Sequence, residues 1–483
     1  MVGSYSLYQD PMQIKQPDIP NNGIGWQLLP KTYKLNDPVL LRHVLCGMII
    51  LHNFFHVCLC WRQLRLCSRS QNPPQIMQNV MSDAQFKTAK DSEMMNVELK
   101  LIGLIVDAIM SCIELYFCVF PWLWLQTMHW YSIIEDFMWH NMAFAVLLSI
   151  YLVLRGLPLI FYNKIMVEPY YSSESKRTSM PLVGVLCTQA FFIVFMQVPL
   201  IPITIIFLLI ETYGGEYYFV LWIWLFLLIL SLIAIVTVTF FGAPCIGKVT
   251  KLPAGALQDA LRPTLQEFNF PLDCVYIFNT YAVSNGSVYA WNLCGRKCIV
   301  IFDSLVLNFG KPMSELFEED VGHGLQQEQL VAFIAHELCH QRHLHLTKIF
   351  CMLQTTLLIY MLLFGFFYRQ LVIYEAAGFS LSHYPHIVGY WLVYKYVMTP
   401  YRTLTYWIIL FAVRRFEYSA DKMASQRGYG RALISALLKL FADNCTFPFV
   451  DACYMMWHLR LPTSLIRIRR LIRLQPINSS DAA

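Results

Sequence analysis

Long apolar stretches separated by short polar segments run along most of this chain. Those near 39–61, 100–127, 138–162, 182–210, 217–241, 346–368 and 389–413 are each long enough to cross a bilayer, whose hydrocarbon core of about 30 Å takes roughly 20 helical residues. The pattern predicts seven membrane helices. The first stretch carries His52, Asn53 and His56 internally, and the last carries Lys395 and Arg402.

The flanking charges give the helices a direction. Arg62, Arg65 and Arg69 follow the first stretch, Lys164, Lys176 and Arg177 follow the third, and Arg467, Arg469, Arg470 and Arg473 lie in the tail, whereas the short loops 128–137 and 211–216 hold no Lys or Arg. Basic residues beside spans stay in the cytosol. The N-terminus is therefore expected in the lumen and the C-terminus in the cytosol, a parity that an odd number of spans satisfies.

One sizeable polar stretch, about 242–345, then faces the cytosol. Ala243-Pro244 and Pro253 break the helix before it. Inside it, Cys274–Phe278 and Lys297–Phe302 are β-branched and aromatic runs joined by a segment with Asn285-Gly286 and Asn292, which predicts a small hairpin or meander. A helical pattern resumes near Gln326 and runs without Gly or Pro into the sixth apolar stretch. The predicted organisation is a polar N-terminal segment (1–38), five membrane helices (39–241), a cytosolic domain (242–345), two membrane helices (346–413) and C-terminal cytosolic helices (414–483). The first 38 residues lack the basic and apolar regions of a cleaved signal, so the first span is expected to target the chain.

Composition narrows the classes. Hydrophobic residues make up 57% of the 483, charged residues only 14%, and the mean hydropathy is +0.47, which excludes an ordinary soluble globular chain. The net charge of +5 is not gathered into a basic tract with interleaved aromatics, so nucleic acid is not an expected partner. The 15 cysteines are odd in number and lie largely within apolar runs, which reads as core packing, not a disulfide frame.

The chemistry-bearing segment is His336-Glu337-Leu338-Cys339-His340. Histidines four apart project from one helical face and can hold one Zn²⁺, with Glu337 beside them to take a proton from a water the metal activates. A solvated helix start rich in His and Glu has the same local composition. A catalytic zinc needs a third protein ligand and an open position. Arg414-Arg415-Phe416-Glu417 with Ala420-Asp421 follows the seventh stretch at the same predicted membrane face. Glu417 can ligate the metal, and Asp421, one helical turn on, can orient a ligand histidine from behind. An ordinary acid among arginines at a helix end is the alternative. In the second stretch, Asp107 and Glu114 are expected to line a cavity, while Asn141 and Gln197 read as polar links between helices.

With His345 five residues beyond His340, and with Asp443-Asn444 and Trp457-His458 farther on, these motifs resemble the CAAX prenyl protease 1 family of membrane zinc endopeptidases. Arg155-Gly156-Leu157-Pro158, Phe270-Pro271-Leu272 and Ile301-Phe302-Asp303 extend the resemblance collinearly. It implies a mainly helical polytopic protein of about seven membrane helices enclosing a chamber and capped by the cytosolic metallopeptidase domain. It also implies removal of the C-terminal tripeptide of prenylated CAAX proteins at the endoplasmic-reticulum membrane, which is continuous with the inner nuclear membrane. Carried onto this chain, His336, His340 and Glu417 would be zinc ligands, Glu337 the general base and Asp421 a supporting group. Ser287 and Tyr289 would lie in a strand that pairs with the substrate backbone, and Arg467 would face the substrate. Three departures stand out: Leu461-Pro462 replaces a family His-Pro whose histidine stabilises the oxyanion, Ser287-Val288-Tyr289 replaces Asn-Ala-Tyr, and Cys339 replaces a glycine. His458 is the nearest histidine to the missing donor. Two other classes stay open, a divergent paralogue that binds membrane or prenylated proteins with little peptidase activity, and a transporter using the chamber.

Overall fold

The computed structural model describes residues 37–129, 137–167, 182–215, 218–237, 248–279, 288–293, 296–311, 314, 321–379 and 386–475. Helix α1 (Pro38–Arg69) starts where the Asp37 side chain accepts from the Val39 N–H and Pro38 fills the first position, both favourable at a helix N-terminus. Helix α2 (Asp83–Tyr116) opens on a reciprocal Ser82/Gln85 capping box. Then follow α3 (Val119–His129), α4 (Phe137–Phe161), α5 (Leu182–Tyr213) and α6 (Phe219–Thr237). The Asn53 and His56 side chains of α1 turn into the bundle, at 4% and 9% exposure, so a long apolar helix can carry them.

Five described helices, α1, α4, α5, α6 and His345–Tyr368, are long and apolar enough to cross a membrane, and α2 with α3 makes a sixth span bent by 63°. The bend falls at Cys118, whose φ is 51°. The seventh predicted span is broken. It is built from His386–Leu392, a π turn at Val393–Val397, and Thr399–Ala424.

Lys395 in that π turn explains the break, and it corrects the expectation that Glu114 lines a cavity. Glu114 is 0% exposed and is clasped by Lys395 Nζ, by Arg155 Nη1 at 3.2 Å, and by the hydroxyls of Tyr151 (2.9 Å) and Tyr396 (2.8 Å). Asp107 pairs with the same Arg155 at 2.5 Å. Two carboxylates and two cations are thus neutralised across α2, α4 and the π turn, the condition on which charges persist in a low-dielectric interior. Gln197 donates to Ser149 at 3.0 Å, and Asn141 accepts from the Ile387 N–H at 3.0 Å, so both link helices as expected.

The polar part starts with β1 (Lys248–Lys251), α7 (Ala256–Glu267), β2 (Val275–Asn279), β3 (Val288–Leu293) and β4 (Arg296–Phe302), forming a sheet of order β1-β2-β4-β3. The two predicted runs do not form a hairpin with each other. They lie parallel, Val275 opposite Ile299 and Phe278 opposite Phe302, and the hairpin is made by β3, which contains Asn292, with β4. After α8 (Gln327–Arg342) come α9 (His345–Tyr368), α10 (Leu371–Ala376), α11 (His386–Leu392), α12 (Thr399–Ala424), α13 (Gly430–Asp443), α14 (Ala452–His458) and α15 (Ser464–Leu474).

Helix α8 is central. Its Ala332, Ala335, Leu338 and Cys339 pack in one core with Ala420 and Ala424 of α12, Leu433 and Leu437 of α13, Ile468 and Leu471 of α15, and Ile299 and Ile301 of β4. Small side chains at this contact let α8 and α12 approach closely, which brings their polar residues together.

Candidate metal centre and active site

Helix α8 begins with a capping box in which Gln326 and Gln329 satisfy each other's backbone, and it ends at Arg342 without running on into the next helix. Leu344 adopts a left-handed conformation, φ 52° and ψ 39°, and α9 starts afresh at His345. No glycine announces this break, but it has a consequence. The turn sends the His345 ring back over α8, where its Nδ1 lies 3.0 Å from Nδ1 of His340, and Phe416 stacks on its far side with ring centroids 4.5 Å apart.

His336 and His340 present their Nε2 atoms 3.2 Å apart. Glu417, on α12, places Oε2 at 3.5 Å from His336 Nε2 and Oε1 at 3.5 Å from His340 Nε2. Tetrahedral zinc with bonds of about 2.0–2.1 Å sets its ligand atoms about 3.3–3.4 Å apart. The two imidazoles therefore stand at the separation such an ion needs, Glu417 turns one carboxylate oxygen to each of them, and among the described residues the three side chains form a metal-competent cluster.

Groups behind the ligands fix them. His336 Nδ1 lies 3.1 Å from Asp421 Oδ1, and Asp421 accepts from Arg467 Nη2 at 2.7 Å and Nε at 2.9 Å. Arg467 also reaches Glu417 at 3.4 Å, and its Nη2 donates to His336 Nε2 at 3.2 Å, a lone pair that a metal would use instead. Burial works to raise the Glu417 and Asp421 carboxyls, but Arg467 and His336 outweigh it and hold both ionised, Glu417 at about 2. Glu337 behaves oppositely. Burial pushes its carboxyl up to about 7, and no described residue hydrogen-bonds it, so it stands free to exchange a proton near neutral pH. When ionised, Glu337, Glu417 and Asp421 carry three negative charges against the one positive charge of Arg467, and a divalent cation balances the remainder. Donor set, spacing and charge all fit zinc.

Two models describe most of the chain. Residues 63–248 match the family described as CAAX prenyl protease N-terminal, five membrane helices, and residues 251–475 match peptidase family M48. The chain belongs to the CAAX prenyl protease 1 family. The human CAAX prenyl protease 1 homolog is 27% identical over 360 residues, covering 68% of this chain and 73% of the human protein. The Saccharomyces cerevisiae CAAX prenyl protease 1 is 22% identical over 453 residues, covering 89% and 94%. The crystal structure of S. mikatae Ste24p superposes with a TM-score of 0.73 at 22% identity over 89% of this chain and 98% of that one. This CAAX prenyl protease homologue is a membrane metallopeptidase.

The remaining expected site residues divide. Tyr289 lies on β3, an edge strand of the sheet, and is 55% exposed, and the Gln341 side chain of α8 donates to the carbonyl of neighbouring Ala290. Ser287 lies outside the described residues. Arg467 is buried against Asp421 beside the ligands. His458 does not join them: its Nε2 lies 3.3 Å from His56 Nδ1 of α1, and its ring packs on Tyr454. Leu461 is 46% exposed. Cys339 is wholly buried in the core under α8, where burial pushes its thiol up to about 12, so it packs and does not ligate. Arg414 and His345 gain roles the motif spacing did not assign. Arg414 donates to the carbonyls of Leu459 (3.0 Å) and Met456 (3.1 Å), tying α14 to the ligand helix three residues before Glu417.

Proposed function

We propose that this protein removes the C-terminal tripeptide of prenylated CAAX proteins with one Zn²⁺ per chain held by His336, His340 and Glu417, on the cytosolic face of the endoplasmic-reticulum membrane. The observation that carries the reading is the cluster in which His336 and His340 set their Nε2 atoms 3.2 Å apart and Glu417 turns one carboxylate oxygen to each at 3.5 Å, in a chain of this family. A non-enzymatic paralogue has no use for such a pre-arranged set with an unpaired Glu337 beside it. The cytosolic assignment rests on the arginines at the C-terminal end of α1, where Arg62 pairs with Asp451 at 2.9 Å, just before α14.

Bound zinc would polarise the scissile carbonyl and bring the pKa of a water toward neutrality. Glu337 accepts that water's proton and later delivers it to the leaving amine, a dual use suited to a carboxyl raised to about 7. Asp421 holds His336 and His345 holds His340, so each imidazole keeps its orientation. Arg467 keeps Asp421 ionised and, buried against Asp421, Glu417 and His336, acts on the site through them. The outer edge of β3, on which Gln341 already takes the Ala290 carbonyl, would pair through its remaining backbone groups with an extended peptide. Glu337→Gln is expected to keep zinc and lose cleavage of a farnesylated CAAX peptide, whereas Glu417→Ala loses both. Cleavage by Glu337→Gln at the wild-type rate overturns this assignment.

A further inference from the structure

Helix α12 carries different chemistry on its opposite faces. Glu417 turns toward the metal site, while Leu404, Ile408, Phe411, Arg415, Tyr418 and Lys422 lie about 100–180° round the helix from it, at about 100° per residue. Leu404, Ile408 and Phe411 are 53%, 39% and 45% exposed, an apolar stripe of the kind a membrane helix turns to lipid. From Leu404 to Arg415 the helix rises about 16 Å, and one leaflet of a hydrocarbon core of about 30 Å is about 15 Å deep. The stripe is as long as one leaflet is deep, and it ends on a cation.

Two more cations join it there. Lys422 is exposed on the same face as Arg415, and Arg470 of α15 lies over the Tyr418 ring at 4.4 Å, while Arg415 lies over Phe411 at 5.4 Å. Among the described residues none of the three has an acidic partner. Neighbouring Arg414 is the contrast: it is buried and donates to the carbonyls of Leu459 and Met456. Like charges gathered without an acid repel one another, and guanidinium groups hold phosphate oxygens through paired, charge-assisted hydrogen bonds.

We propose that this face binds one anionic glycerophospholipid, its phosphate held between Arg415 and Arg470 and an acyl chain laid along Phe411, Ile408 and Leu404. The occupant is a lipid and not free phosphate because the apolar stripe runs directly into the cationic end. It belongs to the cytosolic leaflet, which rests on the orientation proposed above and is the leaflet rich in anionic lipid. The phosphate clips α12 to α15. Those two helices also serve the metal site: Arg415 stands two residues before Glu417, and Arg470 three residues after Arg467, which holds Asp421. The clip therefore steadies a metal ligand and its support from the far side of both helices, whichever peptide is cut.

The test uses the full-length zinc-loaded protein in nanodiscs of phosphatidylcholine with and without phosphatidylserine, and reads by native mass spectrometry which lipid stays bound. Wild-type protein is expected to retain one phosphatidylserine in preference to phosphatidylcholine, and Arg415→Gln/Arg470→Gln to lose that preference by about 10- to 30-fold. Arg65→Gln/Arg69→Gln removes the same charge from the cytosolic end of α1 and is expected to keep it. Because the preference is a ratio within one spectrum, loss of folded protein does not move it. No preference in wild-type protein, or an equal loss in the α1 variant, overturns the proposal. A phosphatidylserine with a diazirine on its acyl chain is expected to label Leu404–Phe411 and raise the Tm. Equal labelling by the phosphatidylcholine probe, or the same rise in Tm from inorganic phosphate at matched ionic strength, overturns the lipid as occupant. Neither readout uses a substrate, so the site stands or falls separately from the cleavage.

Discussion

Arg467 offers a sharp test of how the metal site is held together. Its guanidinium grips Asp421 through two hydrogen bonds of 2.7 and 2.9 Å, and both side chains are buried, at 7% and 1% exposure. Removing one partner of such a pair leaves an uncompensated buried charge, at about 3–5 kcal/mol. For a unit of 150–250 residues each kcal/mol moves Tm by about 2–4 °C, so Arg467→Met should lower the Tm of zinc-loaded protein in detergent by about 6–20 °C. Asp421→Asn strands the arginine instead and should cost a comparable amount. The double variant strands neither, so its loss should fall short of the sum of the single losses by about 2 kcal/mol or more, the signature of directly coupled residues. A single-variant shift below about 2 °C, or a double loss equal to the sum, refutes the electrostatic account of this site.

Other outcomes follow from the same geometry. His345→Ala removes the group facing His340 Nδ1 at 3.0 Å and should weaken zinc about 10- to 100-fold in a chelator competition; unchanged affinity would assign His345 to packing alone. Leu344→Gly should be neutral or stabilising at φ 52°, while Leu344→Val, whose β-branched side chain tolerates positive φ least, should lower the Tm and weaken zinc binding, read by thermal denaturation. Leu461→His restores a donor type whose loss commonly costs about 100- to 1000-fold, so kcat should rise with KM little changed; no gain would mean that another group serves the oxyanion.

What the amino-acid sequence discloses depends on which physical signal each feature leaves. The spans α1, α4, α5, α6 and α9 are visible because their apolar runs exceed the bilayer thickness with few charges. The last span is blurred because Lys395 serves Glu114, a partner 281 residues away. Asp107 and Glu114 read as cavity acids for the same reason, since their cations lie on other helices. Parallel pairing of β2 with β4 leaves no local periodicity, and β3, which lies between them in sequence, holds Asn292 and runs on to Gly295, so it reads as part of a loop. The candidate pair His336 and His340 is legible because HExxH ties chemistry to helical spacing. The turn at Leu344 that delivers His345 is not, for lack of glycine or proline. His458 shows the limit of proximity in sequence: three residues from Leu461, it faces α1 and His56.

The most direct test of the central claim is mass-spectrometric detection of the tripeptide released from a farnesylated CAAX peptide by purified protein, before chelation, after it, and after zinc is restored. Cleavage immediately after the farnesyl-cysteine that is lost on chelation and returns with one zinc per chain is the predicted result; no release from protein that demonstrably holds one zinc would contradict it.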